Sequence, residues 1–304
     1  MAMPNAKNAR EAAAATAAAA EKQRRVKVAL TYTGIVATLL VLVVVFAFVA
    51  KAISKSPAPA STGLASSSSS NSAQPSLTSE QVLARDIKIL TTIPASTYDA
   101  VGPGSAAKLK TTSGPALTED GKPVVVYVGA EFCPFCAGQR WALIAALSRF
   151  GTWDKLGRQS SSADDVYAST STFTFHGATY TSKYLVFSGT EALDGNRNPL
   201  DTPPARDSQV WTTLGQSSFP FLDLGGMYAM SGAQFQPTSL HVDAGDSQSA
   251  PRSWDEIANA LTDPTSAQSK QILGAANILT AELCTLTNNQ PANVCNSAGV
   301  VAAR

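Results

Sequence analysis

Cys133-Pro134-Phe135-Cys136 holds the residues of this chain whose type and spacing point most directly to chemistry. A C-x-x-C becomes redox-competent when its first sulfur sits at a helix N-terminus. There, unsatisfied N–H groups and the positive end of the helix dipole favour the thiolate, which is the nucleophile. The flanking residues predict that setting. Val124-Val125-Val126-Tyr127-Val128 is a short β-branched run that reads as a buried strand. Gly129 to Phe132 link it to Cys133, and Pro134 suits a first helical turn, where its missing N–H costs nothing. Beyond the pair, Trp141, Leu143, Ile144, Leu147 and Phe150 predict an amphipathic helix ended by Gly151. Cys133 is then the expected exposed nucleophile, and Cys136, one turn on, the thiol that resolves a mixed disulfide.

The pair alone also fits a closed, inert disulfide or half of a zinc site. Zinc normally takes four ligands, and the two histidines, His176 and His241, belong to no metal-spaced motif; they read as structural or surface groups. No metal or cofactor is expected. Glu131, two residues before Cys133, is a possible proton carrier but reads first as an exposed loop acid. Arg140 reads as a solvated helix residue, and Trp141, Trp153, Trp211 and Trp254 as core packing. Cys284 and Cys295 flank ten mostly polar residues, which suits a small disulfide-closed loop, with a second redox relay as the alternative.

The rest of the chain must position these groups. Its 304 residues carry a net charge of +1, which hides an asymmetry: residues 1–55 have eight Lys/Arg against two Asp/Glu, and the remainder is net acidic. The basic head precedes Val28–Ala50, 23 residues without a charge, long enough as a helix to cross a hydrocarbon core of about 30 Å. Excess positive charge before this run puts the N-terminus in the cytoplasm and the later residues outside. The apolar run is longer than the core of a cleaved signal peptide and lacks the polar face of a buried globular helix. Residues 1–27 therefore read as a cytoplasmic tail, 28–50 as a membrane helix, 51–78 as a flexible Ser/Ala/Pro linker and 79–304 as an extracytoplasmic domain. The acidic balance of that domain gives no reason to expect nucleic-acid binding.

Within it, Val82, Leu83, Ile87 and Leu90 predict a helix starting near Ser79, and Asp120-Gly121 predicts a turn before the Val124 strand. Phe173–Phe175, Tyr184–Phe187, and Phe219 through Met230 read as strands, and residues 158–171 and 192–208 as polar loops. Ser253 with Glu256 forms a capping box that opens a helix through Leu261, and a last helix runs from about Ser266 to Leu283. The order predicts an α/β domain with a mixed sheet flanked by helices.

Val124 to Phe150 resembles the active-site strand and helix of the thioredoxin superfamily. The resemblance implies a cis proline before a later strand, facing the cysteines; Pro220, in Ser218-Phe219-Pro220-Phe221-Leu222, matches it in kind and order. Over roughly residues 79–300 the chain resembles a family of membrane-anchored thioredoxin-like proteins built on a domain of unknown function. It departs from thioredoxins in having Tyr127 at the place of their buried acid, Phe132 for their Trp, and Pro-Phe between the cysteines, as glutaredoxins have Pro-aromatic. The 87 positions from Cys133 to Pro220 imply an insertion within 152–218. The resemblance implies a thiol–disulfide oxidoreductase acting on cysteine-containing exported proteins or with a membrane redox partner. Catalytic residues would be Cys133, Cys136 and Pro220. A non-catalytic thioredoxin-fold binding module of the cell envelope is the second expectation.

Overall fold

The computed structural model describes residues 77–304 except 244, 245 and 247. The expected tail, the membrane helix at 28–50 and the linker up to residue 76 lie outside the described residues. Among the described residues no helix is long and apolar enough to cross a membrane.

Thr78, expected in the linker, instead caps the first helix, α1 (Ser79–Thr91): its hydroxyl accepts from the Gln81 amide at 3.3 Å, and the Gln81 side chain accepts from the Thr78 amide at 2.9 Å. A short α2 (Ala95–Val101) follows. The strand β3 (Lys122–Gly129) is the centre of a six-stranded mixed sheet. The Asp120-Gly121 turn, with φ of 50° and 74°, joins it to β2 (Thr118–Glu119) as a hairpin. On one flank β3 runs parallel to β8 (Val186–Glu191). On the other it is antiparallel to β9 (Phe221–Leu224), which pairs with β10 (Tyr228–Ser231) and, through it, with the edge strand β1 (Lys110–Thr111).

Alternation along β3 divides the domain into layers. Val125 and Tyr127 join the main core beneath α3 (Pro134–Leu147) and α6 (Ala267–Leu286). Val124, Val126 and Val128 face the opposite side, where Val210 and Trp211 of α4 (Ala205–Gly215) pack. The α/β architecture with a mixed sheet between helices is as expected, but β5 (Gly157–Ser160) and the start of α4 fall in the stretches 158–171 and 192–208, read as polar loops. α4 occupies part of a stretch read as loop: its sequence is largely polar, and only a few side chains touch the sheet. The 152–218 stretch is also not wholly an insertion, because β8 and α4 complete the sheet and its second layer. The added structure is two ribbons, β4 (Gly151–Asp154) with β7 (Thr179–Ser182) and β5 (Gly157–Ser160) with β6 (Ser171–Thr174). An aromatic cluster ties the first ribbon down: Trp153 stacks on Phe175 at 5.3 Å and meets Phe187 of β8 edge-on at 5.1 Å.

The capping box at Ser253 is present at the start of α5 (Trp254–Ala260), with both reciprocal bonds made. Cys284 and Cys295 form a disulfide, as expected, with Cα atoms 5.6 Å apart. It clips the end of α6 to α7 (Ala292–Cys295), which precedes the terminal α8 (Ala298–Ala303). Closing so short a loop contributes about 3 kcal/mol by restricting the unfolded chain.

Two buried carboxyls are left half satisfied. Glu282 accepts from the Leu109 amide with Oε1 at 3.2 Å, while its Oε2 has no partner; burial pushes its pKa up to about 7. Asp223 on β9 accepts from the Gly226 amide at 2.7 Å with Oδ2 unpartnered, and burial raises its pKa to about 6. Both folded-state values lie above the ordinary carboxyl values of 4.5 and 3.8, so the folded protein holds protons that the unfolded chain has released. Their contribution to stability is therefore fullest below about pH 4 and is lost as pH rises through about 6 and then 7. Glu282→Gln keeps the acceptor for Leu109 and removes the charge. It is expected to raise unfolding free energy at pH 8 by about 2 kcal/mol and to leave it unchanged near pH 4.5. Urea midpoints of the two proteins at both pH values check this; parallel pH profiles would refute it.

Candidate functional site

The cysteine pair sits where β3 hands over to α3, at the C-terminal end of the central strand. Cys133 is the N-cap residue of α3, and Pro134 occupies the first helical turn. The Cys133 Sγ accepts from the backbone N–H of Cys136 at 3.2 Å, so the sulfur itself fills the capping role usually given to Ser or Asp. Both thiols are free.

Cys133, expected as an exposed nucleophile, is only 7% exposed, and Cys136 is fully buried. A collar of half-buried apolar residues closes around them: Phe132, Phe135, Leu193 and Phe219, packed on Ala130 and the two cysteines. Each aromatic member has a support. The Arg197 guanidinium lies over the Phe132 ring at 4.5 Å, Tyr167 meets Phe135 edge-on at 6.1 Å, and Trp211 stacks on Phe219 at 5.3 Å. The supports come from residues between α3 and β9, which explains what that long connection does locally.

The two sulfurs are electrostatically unequal. The side-chain hydrogen bond with Cys136 draws the Cys133 thiol below its ordinary value, helped by backbone N–H groups of the first turn and by the Arg140 cation, against the effect of burial. Burial pushes Cys136 well above the ordinary thiol value, and its bond to Cys133 adds to this. A low first thiol and a high second one suit a nucleophile followed by a resolving thiol.

Pro220 follows a cis peptide bond from Phe219. It is buried just before β9, and Phe219 is the member of the cysteine collar that brings this segment to the site.

Two residues read from sequence as solvated are buried. Arg140 is fully buried because α3 is covered on every side, not amphipathic: only Phe135 among residues 134–147 escapes burial. Its guanidinium donates two hydrogen bonds to the Glu191 carboxylate at the end of β8, at 2.7 and 2.6 Å, and one to the Ala130 carbonyl at 2.8 Å. Glu131 is also buried, accepting from Thr174 at 2.7 Å and from Gln159. Glu191 was not singled out from the sequence. It lies 51 residues from Arg140, and no local pattern joins them. Tyr127 on β3 presents a fully buried hydroxyl with no partner. Burial holds its pKa well above the ordinary phenol value, so it stays protonated.

The remaining sequence candidates are peripheral. His176 pairs with Asp201 at the surface at 2.8 Å, and buried His241 bonds Thr170 and the Ser249 carbonyl. Trp141 is the most deeply buried tryptophan; the other three are half-buried. Among the described residues, no three His, Cys, Asp or Glu side chains are grouped to hold a metal ion.

A family model described as "Domain of unknown function (DUF929)" matches residues 108–285, more than half of the chain. The chain belongs to the DUF929 family. The DUF929 match includes the central sheet, both site cysteines, Pro220 and the Arg140–Glu191 pair; it leaves out α1, α2 and Cys295. No curated protein and no solved structure matches the chain.

Proposed function

We propose that this DUF929 protein is a thioredoxin-like thiol–disulfide oxidoreductase, anchored in the membrane by residues 28–50, with its 79–304 domain outside the cytoplasm. The observation that carries the reading is the pair of free, unequal thiols spanning the first turn of α3: Cys133 is lowered and Cys136 raised. A strand–helix junction that holds the cysteines, and a cis proline before a later strand whose neighbour packs on them, add to it.

In the reductive direction the Cys133 thiolate attacks a disulfide of an exported protein or membrane partner. A Cys133–partner bond forms and one partner sulfur leaves as thiolate. Cys136, having lost its proton, then attacks the Cys133 sulfur, forming the Cys133–Cys136 disulfide and releasing the second partner sulfur. Two electrons pass to the partner, which leaves as a dithiol; the reverse sequence oxidises it. Phe132, Phe135, Leu193 and Phe219 suit an extended partner segment with apolar residues beside its cysteine, and Pro220 shapes that groove.

The low exposure of Cys133 favours one other reading, a thioredoxin-fold module that binds partners without exchanging disulfides. The reduction potential of the Cys133–Cys136 couple separates the two. Titration in glutathione buffers with alkylation of free thiols is expected to give a value between about −120 and −270 mV with fast exchange. A value below about −300 mV with negligible exchange marks a structural disulfide and favours the binding module.

A further inference from the structure

We propose that Arg140 is a positioning residue that sets the charge state of the cysteine pair, a buried counter-charge to the Cys136 thiolate, with Glu191 as the group that holds and tempers it. The proposal rests on the oxidoreductase reading above. Arg140 lies one helical turn after Cys136, at i+4, so the two side chains share a face of α3. Its Nη2 donates to the carbonyl of Ala130, the residue on which both cysteines pack. Its Nη1 is buried with no hydrogen-bond partner. An unmade donor on a buried cation is costly and uncommon. A purely structural ion pair between α3 and β8 has no need of one, since buried pairs are seldom better than apolar residues of the same size.

Three charged or titratable groups face Cys136: Cys133 and Arg140 on α3 and Tyr127 on β3; Glu191 on β8 acts on Arg140, and Glu131 in turn on Glu191. Tyr127 stays neutral, which leaves Arg140 as the cation among them. The Arg140 charge lowers both thiols. The need for it is greatest in the second step. There Cys136 must give up its proton to solvent from a fully buried site before its sulfur can attack the Cys133–partner disulfide. The new Cys133–Cys136 bond forms as the partner sulfur leaves, and that sulfur takes up a proton from solvent.

The two partners of the pair should act in opposite senses. Removing Arg140 takes away the cation; removing the Glu191 charge leaves the cation uncompensated. The probe is dithionitrobenzoic acid, an aromatic disulfide that releases a coloured thiolate, applied to the full-length chain with Cys133 and Cys136 as thiols and the Cys284–Cys295 disulfide kept. The first equivalent released reports attack by Cys133, and the second reports attack by Cys136 on the mixed disulfide. At pH 7 the second phase is expected to slow about tenfold in Arg140→Met and to quicken in Glu191→Gln, their pH midpoints moving about one unit up and down. Arg140→Lys, which keeps the charge, is expected to return the midpoint most of the way. Should Arg140→Met not fold, the Lys and Gln variants carry the comparison, since they retain charge and shape respectively. Midpoints that stay put, or that move in the same direction in both variants, overturn the role assigned to Arg140 while leaving the oxidoreductase reading intact. A wild-type chain that releases no thiolate overturns that reading itself.

Discussion

Cys133→Ser is expected to reduce disulfide exchange to the uncatalysed level, whereas Cys136→Ser retains the first attack and accumulates a mixed disulfide with the partner. The asymmetry follows from the placement of the two sulfurs. Cys133 caps α3, and hydrogen bonds from the first turn draw its thiol down; a serine hydroxyl there has no comparable anion at neutral pH. Cys136 is fully buried and its thiol is raised, so it enters only after Cys133 is covalently joined to a partner. Replacing it removes the group that breaks that bond. Incubating each variant with a disulfide-bonded peptide that carries apolar residues beside its cysteines, then measuring intact mass, separates the outcomes. Adduct on Cys136→Ser and none on Cys133→Ser is expected; equal adducts on both would reverse the assignment of nucleophile and resolving thiol.

The second large effect concerns the support of the site. Trp141→Ala is expected to cost about 3–5 kcal/mol, a large share of the stability of an ordinary domain. The Trp141 ring is fully buried, meets Phe173 of β6 edge-on at 4.8 Å, and donates its N–H to the Ser171 carbonyl at 2.9 Å. It therefore joins the helix that carries the cysteines to the β5–β6 ribbon. Trp141→Phe keeps most of the apolar volume but leaves the Ser171 carbonyl without its donor, and is expected to cost about 1–3 kcal/mol. Urea unfolding of the two variants tests the order; a cost for Ala no greater than for Phe would mean that the ring volume is not what holds the ribbon in place.

The strand–helix junction around the cysteines was legible because its signals are local. A β-branched run, a short link, a cysteine in the capping position and a proline in the first turn all act within a dozen residues, and the spacing alone brings the sulfurs into one turn. The Ser253–Glu256 capping box and the Asp120-Gly121 turn were readable for the same reason, as was the disulfide that closes the short loop between Cys284 and Cys295. The anchor proposed at 28–50 is likewise read from an uninterrupted local run, outside the described residues.

Burial is not a local property. Arg140 and Glu131 are charged residues of the kind usually solvated, and nothing within a few positions of either announces that β5, β6 and β8 will bring partners onto them. Glu191 became the partner of Arg140 only when β8 paired in parallel with β3 and brought residues 51 apart to hydrogen-bonding distance. The polar α4 became a layer of the domain because its few apolar side chains found the open face of the sheet. The sequence by itself determined that two sulfurs would share the first turn of a helix. Tertiary packing decided how little of Cys133 would meet solvent, and which buried charges would face the pair, because both depend on what the rest of the chain lays over that turn.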